Sequence, residues 1–250
     1  MNRIALLLAY DGTDFFGYQV QPNRRTVQGV IEEALTKIHK GERIRVYSSG
    51  RTDTGVHARS QVVHFDSPLQ LHDQQWKKAL NSLLPEDVRV LNAAYAPSDF
   101  HARFDCKERE YRYRLLRSEE PDVFRRRYTY HFPHPLSIDA MKEAARYLVG
   151  THDFSSFCSA NASVEDKVRT IYEINLFEED DELVFQLRGN GFLHNMVRII
   201  VGTLLEVGVG KRTPENVKSI LLKKDRTLAG KTAPGHGLYL WAVRYEIDLF

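Results

Sequence analysis

Apolar and polar positions repeat with two periods along this chain, and the switches between them mark out its elements. Residues 3–10 form a short apolar run suited to a buried strand. Thr26 is placed to cap a helix to about His39, with Val27, Ile31, Ala34 and Ile38 on one face. Ile44 and Val46 alternate with Arg43, Arg45 and Tyr47, which predicts a strand. After a glycine-rich loop come a strand in QVVHFD and a helix capped by Asp73 that bears Trp76, Leu80 and Leu83 and stops before Pro85. Val88–Tyr95 reads as a further strand.

The second half repeats this grammar. Glu110–Leu116 is a strand with Tyr111, Tyr113 and Leu115 on one face and Arg112 and Arg114 on the other. Ser137 caps a helix carrying Ile138, Met141, Ala145 and Leu148, closed by Gly150. Strands at about 168–177 and 183–189 flank an acidic turn. A mostly apolar helix spans about His194 to Val207, Thr213–Pro214 opens a shorter one, and Leu238–Ile247 is the last strand. Strands interspersed with two helices in each half predict an α+β fold. It has two similar α/β-sandwich halves (ferredoxin/RRM-like), a mainly antiparallel sheet and a cleft between them. The expected division is 1–105, carrying the loop after Tyr47, and 106–250, completing the cleft, where a substrate is expected to bind.

Composition narrows the classes. With 42% hydrophobic and 27% charged residues the chain is globular rather than disordered, and its 250 residues support two cores. Cys106 and Cys158 are far apart and lack ligand spacing, so reduced thiols in a cytoplasmic protein are expected rather than a disulfide or a zinc site. The N-terminal apolar run is too short for a signal or a membrane span. Net charge is only +2, so the distribution of charge matters more than its sum. Basic residues cluster at Arg24–Arg25, along Lys107–Arg117, at Arg125–Arg127 and at Lys223–Arg226, and acid at Glu178–Glu182. Each cluster is either a solvated edge or part of a basic groove.

The segment with the densest chemistry is Ser49–Arg59. Two glycines bracket Arg51, Thr52, Asp53 and Thr54, with His57 and Arg59 beyond. Glycine permits close approach to a ligand, and a loop crowded with ionisable groups is a candidate site. It also fits a hydrogen-bonded turn in which Asp53 caps backbone amides. No histidine–carboxylate set has metal spacing, and GNGF at 189–192 lacks the remainder of a dinucleotide fingerprint. His57 reads as a structural hydrogen-bonder, and Cys158 has no evident activating base.

GRTDTGVHA closely resembles the active-site motif of the tRNA pseudouridine synthase A family. YDGTDFFGYQ, TVQGVIEEAL, FHARFDCKEREYRYRL, GNGFLHNMVRIIVGTLLEVG and APGHGLYLWAV resemble that family's segments in the same order, from about residue 9 to 245. The resemblance implies an isomerase that converts uridine to pseudouridine in the tRNA anticodon stem-loop, at tRNA positions 38, 39 and 40. It implies Asp53 as nucleophile, Tyr111 against the target base, Arg198 as the partner of Asp53, and Arg51 filling the space the flipped base leaves. Arg51, His57, Arg59 and Leu238 join Tyr111 as the substrate-binding set. It also implies a homodimer, with tRNA contacting both subunits, and no cofactor or metal. Read without the family, Tyr111 fits a core strand position equally well, and Arg198 fits a side chain reaching to solvent from an apolar helix. The rival functions are a non-catalytic RNA-binding protein on the same scaffold and a hydrolase using Asp53 as a base.

Overall fold

A computed structural model describes residues 1–160 and 164–250. The fold is α+β with mainly antiparallel strands. The chain divides into two compact units, Met1–Lys107 with Tyr239–Phe250, and Glu108–Leu238. The division expected from sequence was 1–105 and 106–250; here residues 239–250 return to the first unit.

In the first unit the elements are β1 (Asn2–Tyr10), α1 (Val27–Ile38), β2 (Tyr47–Ser48), β3 (His57–Ser67), α2 (Asp73–Asn81) and β4 (Val88–Ala96). β1 lies between β3 and β4, antiparallel to both. Its two faces are both covered, which is why it reads as an apolar run rather than an alternation. Ile4 and Leu6 sit opposite Phe65 and Val63, and the Phe65 ring meets Trp76 of α2 edge-on. Ala5 joins Val62, Phe100 and Ala102 in a second cluster, completed by Leu7, Val243, Tyr245 and Leu249. Thr26 caps α1 as expected, its hydroxyl accepting from the Gly29 amide.

Two local expectations change. Ile44 and Val46 are buried but lie outside a strand, which is limited to Tyr47–Ser48. The Glu32 carboxylate takes the Val46 amide (3.1 Å), so that donor is withheld from a strand ladder. The cap of α2 is His72 rather than Asp73, and the Gln75 side chain accepts the His72 amide at 2.8 Å.

The second unit holds β5 (Glu108–Leu116), β6 (Tyr130–His131), α3 (Ile138–Arg146), β7 (Gly150–Asp153), β8 (Val168–Glu179), β9 (Glu182–Gly189), α4 (Met196–Gly208) and α5 (Pro214–Lys223). The strands run in the order β5-β9-β8-β7, antiparallel, with β6 parallel to β5. α4 begins at Met196 rather than His194 because Asn195 adopts a left-handed conformation (φ 62°). The final strand, β10 (Leu238–Arg244), pairs in parallel with β3 through Tyr239–His57 and Leu240–Ala58.

The acidic run is a partner of the basic strand rather than a bare turn. Only Asp180 takes the left-handed turn conformation (φ 55°); Glu178, Glu179 and Glu182 belong to β8 and β9. Arg114 bonds Glu179 (3.0 Å) and Glu182 (2.5 Å), and Arg117 pairs with Glu178. Arg125 is held by Asp122 at 2.7 Å and Asp181 at 2.6 Å. A guanidinium neutralised in this way has little counterion release left to offer a phosphate backbone. Arg125→Ala should therefore leave tRNA affinity within about twofold while lowering the melting temperature. A tenfold loss of affinity in a filter-binding titration would show instead that Arg125 grips RNA.

Among the described residues, no helix is long and apolar enough to cross a membrane, and no group of three His, Cys, Asp or Glu side chains is placed to hold a metal ion.

Candidate active site

Asp53 sits in the loop between β2 and β3, and that loop is locked from below. The Thr52 hydroxyl bonds the Tyr10 hydroxyl (2.8 Å) at the end of β1, and both side chains are buried. Gln61, fully buried in β3, donates to the Gly50 carbonyl (2.8 Å) and accepts from the Ser49 hydroxyl (2.5 Å). Burial pushes the Tyr10 phenol up to about 12, so it stays protonated at neutral pH and keeps this bond. The Asp53 carbonyl accepts the Val56 amide (3.1 Å), and Gly55 supplies the left-handed turn (φ 73°) that brings the chain back into β3. Asp53 itself is half-buried, while Arg51 and Thr54 beside it are exposed.

A second loop, after β1, clamps the first from the side. The Tyr18 amide donates to the Thr52 carbonyl (3.0 Å), and the Gly55 amide to the Phe15 carbonyl (3.4 Å). Two glycines make this approach possible. A Cβ on Gly12 would lie 2.0 Å from the Val56 carbonyl oxygen, and one on Gly17 (φ 85°) would lie 2.9 Å from the Thr52 oxygen. The two loops are thus joined through their backbones, which fixes the position of the Asp53 main chain.

His57 is buried at the start of β3. Its Nδ1 accepts the Gly12 amide (3.0 Å), and its ring stacks on Tyr239 at 4.8 Å. An Asp11 carboxylate oxygen also lies 3.2 Å from the same nitrogen. The ring thus links the loop after β1 to the start of β3. Arg59 is exposed, with its guanidinium 5.3 Å from the Trp241 ring centre.

The other candidates belong to the second unit, where one strap organises them. Arg198, half-buried on α4, donates through Nε to the Ala233 carbonyl (2.7 Å) and through Nη1 to the Asn195 side chain (2.7 Å). It does not trail into solvent. Tyr113 donates to the Pro234 carbonyl (2.9 Å), and a Cβ on Gly237 would press its ring at 2.8 Å. Residues 233–237 thus tie α4 to β5 and deliver Leu238, 5% exposed, to the start of β10. Tyr111 is 7% exposed, with Phe192 edge-on at 5.1 Å.

The sequence alone assigns no separate role to Tyr10 or Gln61. Their signals were weak: a tyrosine ending an apolar run and a lone glutamine inside QVVHF. Their importance is testable. Tyr10→Phe removes one hydroxyl and leaves Thr52 without that partner, which should cost about 1–3 kcal/mol of stability. With Asp53 less firmly held, kcat should fall roughly tenfold at unchanged KM. An unaltered kcat would mean that the loop needs no such support.

The model of the family described as tRNA pseudouridine synthase matches residues 7–105 and 144–246. The chain is 61% identical to the tRNA pseudouridine synthase A of Anoxybacillus flavithermus, over 98% of this chain and 100% of that protein. It is 64% identical to the tRNA pseudouridine synthase A of Halalkalibacterium halodurans, over 95% and 90%. It is 58% identical to the tRNA pseudouridine synthase A 1 of Bacillus cereus, over 98% and 100%. A solved structure, "Crystal Structure of a Cbf5-Nop10-Gar1 Complex", aligns at a TM-score of 0.32 and 14% identity, covering 83% of this chain and 55% of that chain.

Proposed function

The chain belongs to the tRNA pseudouridine synthase family, and from that premise we propose that it isomerises uridine to pseudouridine at positions 38, 39 and 40 of the tRNA anticodon stem-loop, with Asp53 as the nucleophile. The observation that carries this reading is the locked presentation of Asp53 in GRTDTG, by Tyr10, Gln61 and the glycines at 12 and 17.

The reaction breaks the bond between uracil N1 and C1′, turns the base and rejoins it through C5. Nothing is oxidised and no group is lost, so its stoichiometry calls for no cofactor. A carboxylate aids the reaction by attack at C1′ or through a glycal, or by addition to C6. The base must leave its stack to reach such a group. Arg51, exposed beside Asp53, is the residue proposed to fill the space left in the helix. Tyr111 is assigned to the face of the target base, a contact of about 1–3 kcal/mol. Its hydroxyl is a candidate for a late proton transfer. Arg198 is assigned to keep Asp53 ionised, since a guanidinium stays charged and grips a carboxylate with two donors. Its fixation by Ala233 and Asn195 supports that role, because an anchored cation needs no reordering to act. His57, Arg59 and Leu238 complete the proposed substrate-binding set. We assign the protein to the cytoplasm, as a homodimer acting on tRNA.

Tritium release from C5-labelled uridine in a tRNA transcript tests the reading. Release with retention of the base in the chain is expected. Tight binding without release would make this an RNA-binding protein, and free uracil would make it a hydrolase.

A further inference from the structure

The loop that clamps Asp53 carries an aromatic ring which the clamp itself does not use. Phe15 and Gly17–Tyr18 are bound to the backbone of the Asp53 loop, as described above. Phe16 between them is held by its own amide, which donates to the Arg25 carbonyl (2.9 Å), and by its carbonyl, which accepts the Gln21 side-chain amide (2.7 Å). Phe16 is 41% exposed, on the loop that clamps the one bearing Asp53. On that ring sits the Arg24 guanidinium, 4.4 Å from the centroid.

The neighbouring pair shows what a purely structural arrangement looks like. Arg25 lies over Phe15 at 4.0 Å, but Phe15 is buried and Arg25 bonds both oxygens of Asp87, at 2.7 and 2.8 Å. Arg24 makes no ion pair among the described residues. One Phe–Arg pair is therefore closed and neutral. The other is open, cationic and fixed to the loop that presents the nucleophile.

An exposed aromatic face beside an unneutralised guanidinium is the combination that holds single-stranded nucleotides. The ring stacks on a base regardless of its identity, and the cation meets the phosphate. Resting on the pseudouridine synthase reading, we propose that Phe16 stacks on a nucleotide adjacent to the target uridine, and that Arg24 contacts the phosphate of that nucleotide. The pair holds the strand open next to the vacated position, and accounts for binding rather than bond breaking.

The test uses the full-length protein, with Asp53→Ala added where binding is measured so that no turnover intervenes. Phe16→Ala should raise Kd for a tRNA transcript, and KM in the active background, roughly tenfold with kcat unchanged. Phe16→Tyr should restore both. Arg24→Ala should lower the slope of log Kd against log salt by about 0.7, the contribution of one single-stranded phosphate, whereas Phe16→Ala should leave that slope alone. Finally, the Phe16→Ala penalty should vanish with a transcript that is abasic at the nucleotide 5′ or 3′ to the target.

A Phe16→Ala protein with unchanged Kd, or with an equal penalty on intact and both abasic transcripts, overturns the proposal. So does one with lowered kcat and lowered melting temperature at normal Kd, which would make Phe16 a support of the catalytic loop. These binding arms do not depend on turnover. If the wild-type protein releases no tritium, the enzymatic reading falls, while the coupling between Phe16 and a base is still read directly.

Discussion

Asp53→Ala is expected to lower pseudouridine formation by at least about 10⁴-fold while tRNA binding persists. The loss is large because no other carboxylate lies on this loop. Thr52 is buried and bonded to Tyr10, His57 accepts the Gly12 amide, and Arg51 and Arg59 are cations. Asp53→Asn should behave alike, since an amide keeps the shape and loses the charge. Asp53→Glu keeps the charge but displaces it by about one bond length, and a displacement of about 1 Å costs roughly 10²-fold in a held active site. The three variants, assayed by single-turnover tritium release, thus separate charge from placement. Wild-type turnover in Asp53→Ala would remove Asp53 from the mechanism altogether.

Gly12→Ala is the second large effect, and it arises without touching a reacting group. The added methyl would sit 2.0 Å from the Val56 carbonyl oxygen and 2.5 Å from its carbon. Both obstacles are backbone, so relief requires moving the strand start against the loop after β1. Val56 is buried, and the amide of residue 12 is tied to His57, so neither side yields easily. The expected cost is about 3 kcal/mol of stability, at the upper end for an overpacked site. Because the Asp53 carbonyl bonds the Val56 amide, the shift reaches Asp53, and kcat should fall by about 10²-fold if that residue has the proposed role. Thermal melting and kcat measured below the transition check the two parts separately. Unchanged values would mean that the loops are less tightly joined than their contacts imply.

What could be read from the sequence was what is locally determined. The Thr26 cap, the helical face of α1 and the strands read as Val88–Tyr95 and Glu110–Leu116, which run Val88–Ala96 and Glu108–Leu116 in the fold, follow from residues within a few positions of one another. The Asp53 loop was legible because two glycines and several ionisable groups are rare company in a strand connection. What escaped depends on partners distant in the chain. Val46 looks like a strand residue, yet its amide is taken by the Glu32 carboxylate. The basic side chains along Lys107–Arg117 left a solvated edge and a groove both open, and the register of β8 and β9 brings acid onto Arg114 and Arg117. Residues 239–250 were expected with the second unit, and it is the pairing of Tyr239 with His57 that returns them to the first. Gln61 is silent in the sequence because its role depends on Ser49, Gly50 and Tyr10 meeting it.

The central claim is that this chain converts uridine within tRNA by means of the Asp53 carboxylate. Its most direct test is pseudouridine mapping of unmodified tRNA transcripts after incubation with the purified wild-type and Asp53→Ala proteins. Pseudouridine is expected at positions 38, 39 and 40 with the wild type, and uridine at all three with the variant. Unmodified uridine with both proteins, or pseudouridine with both, would contradict it.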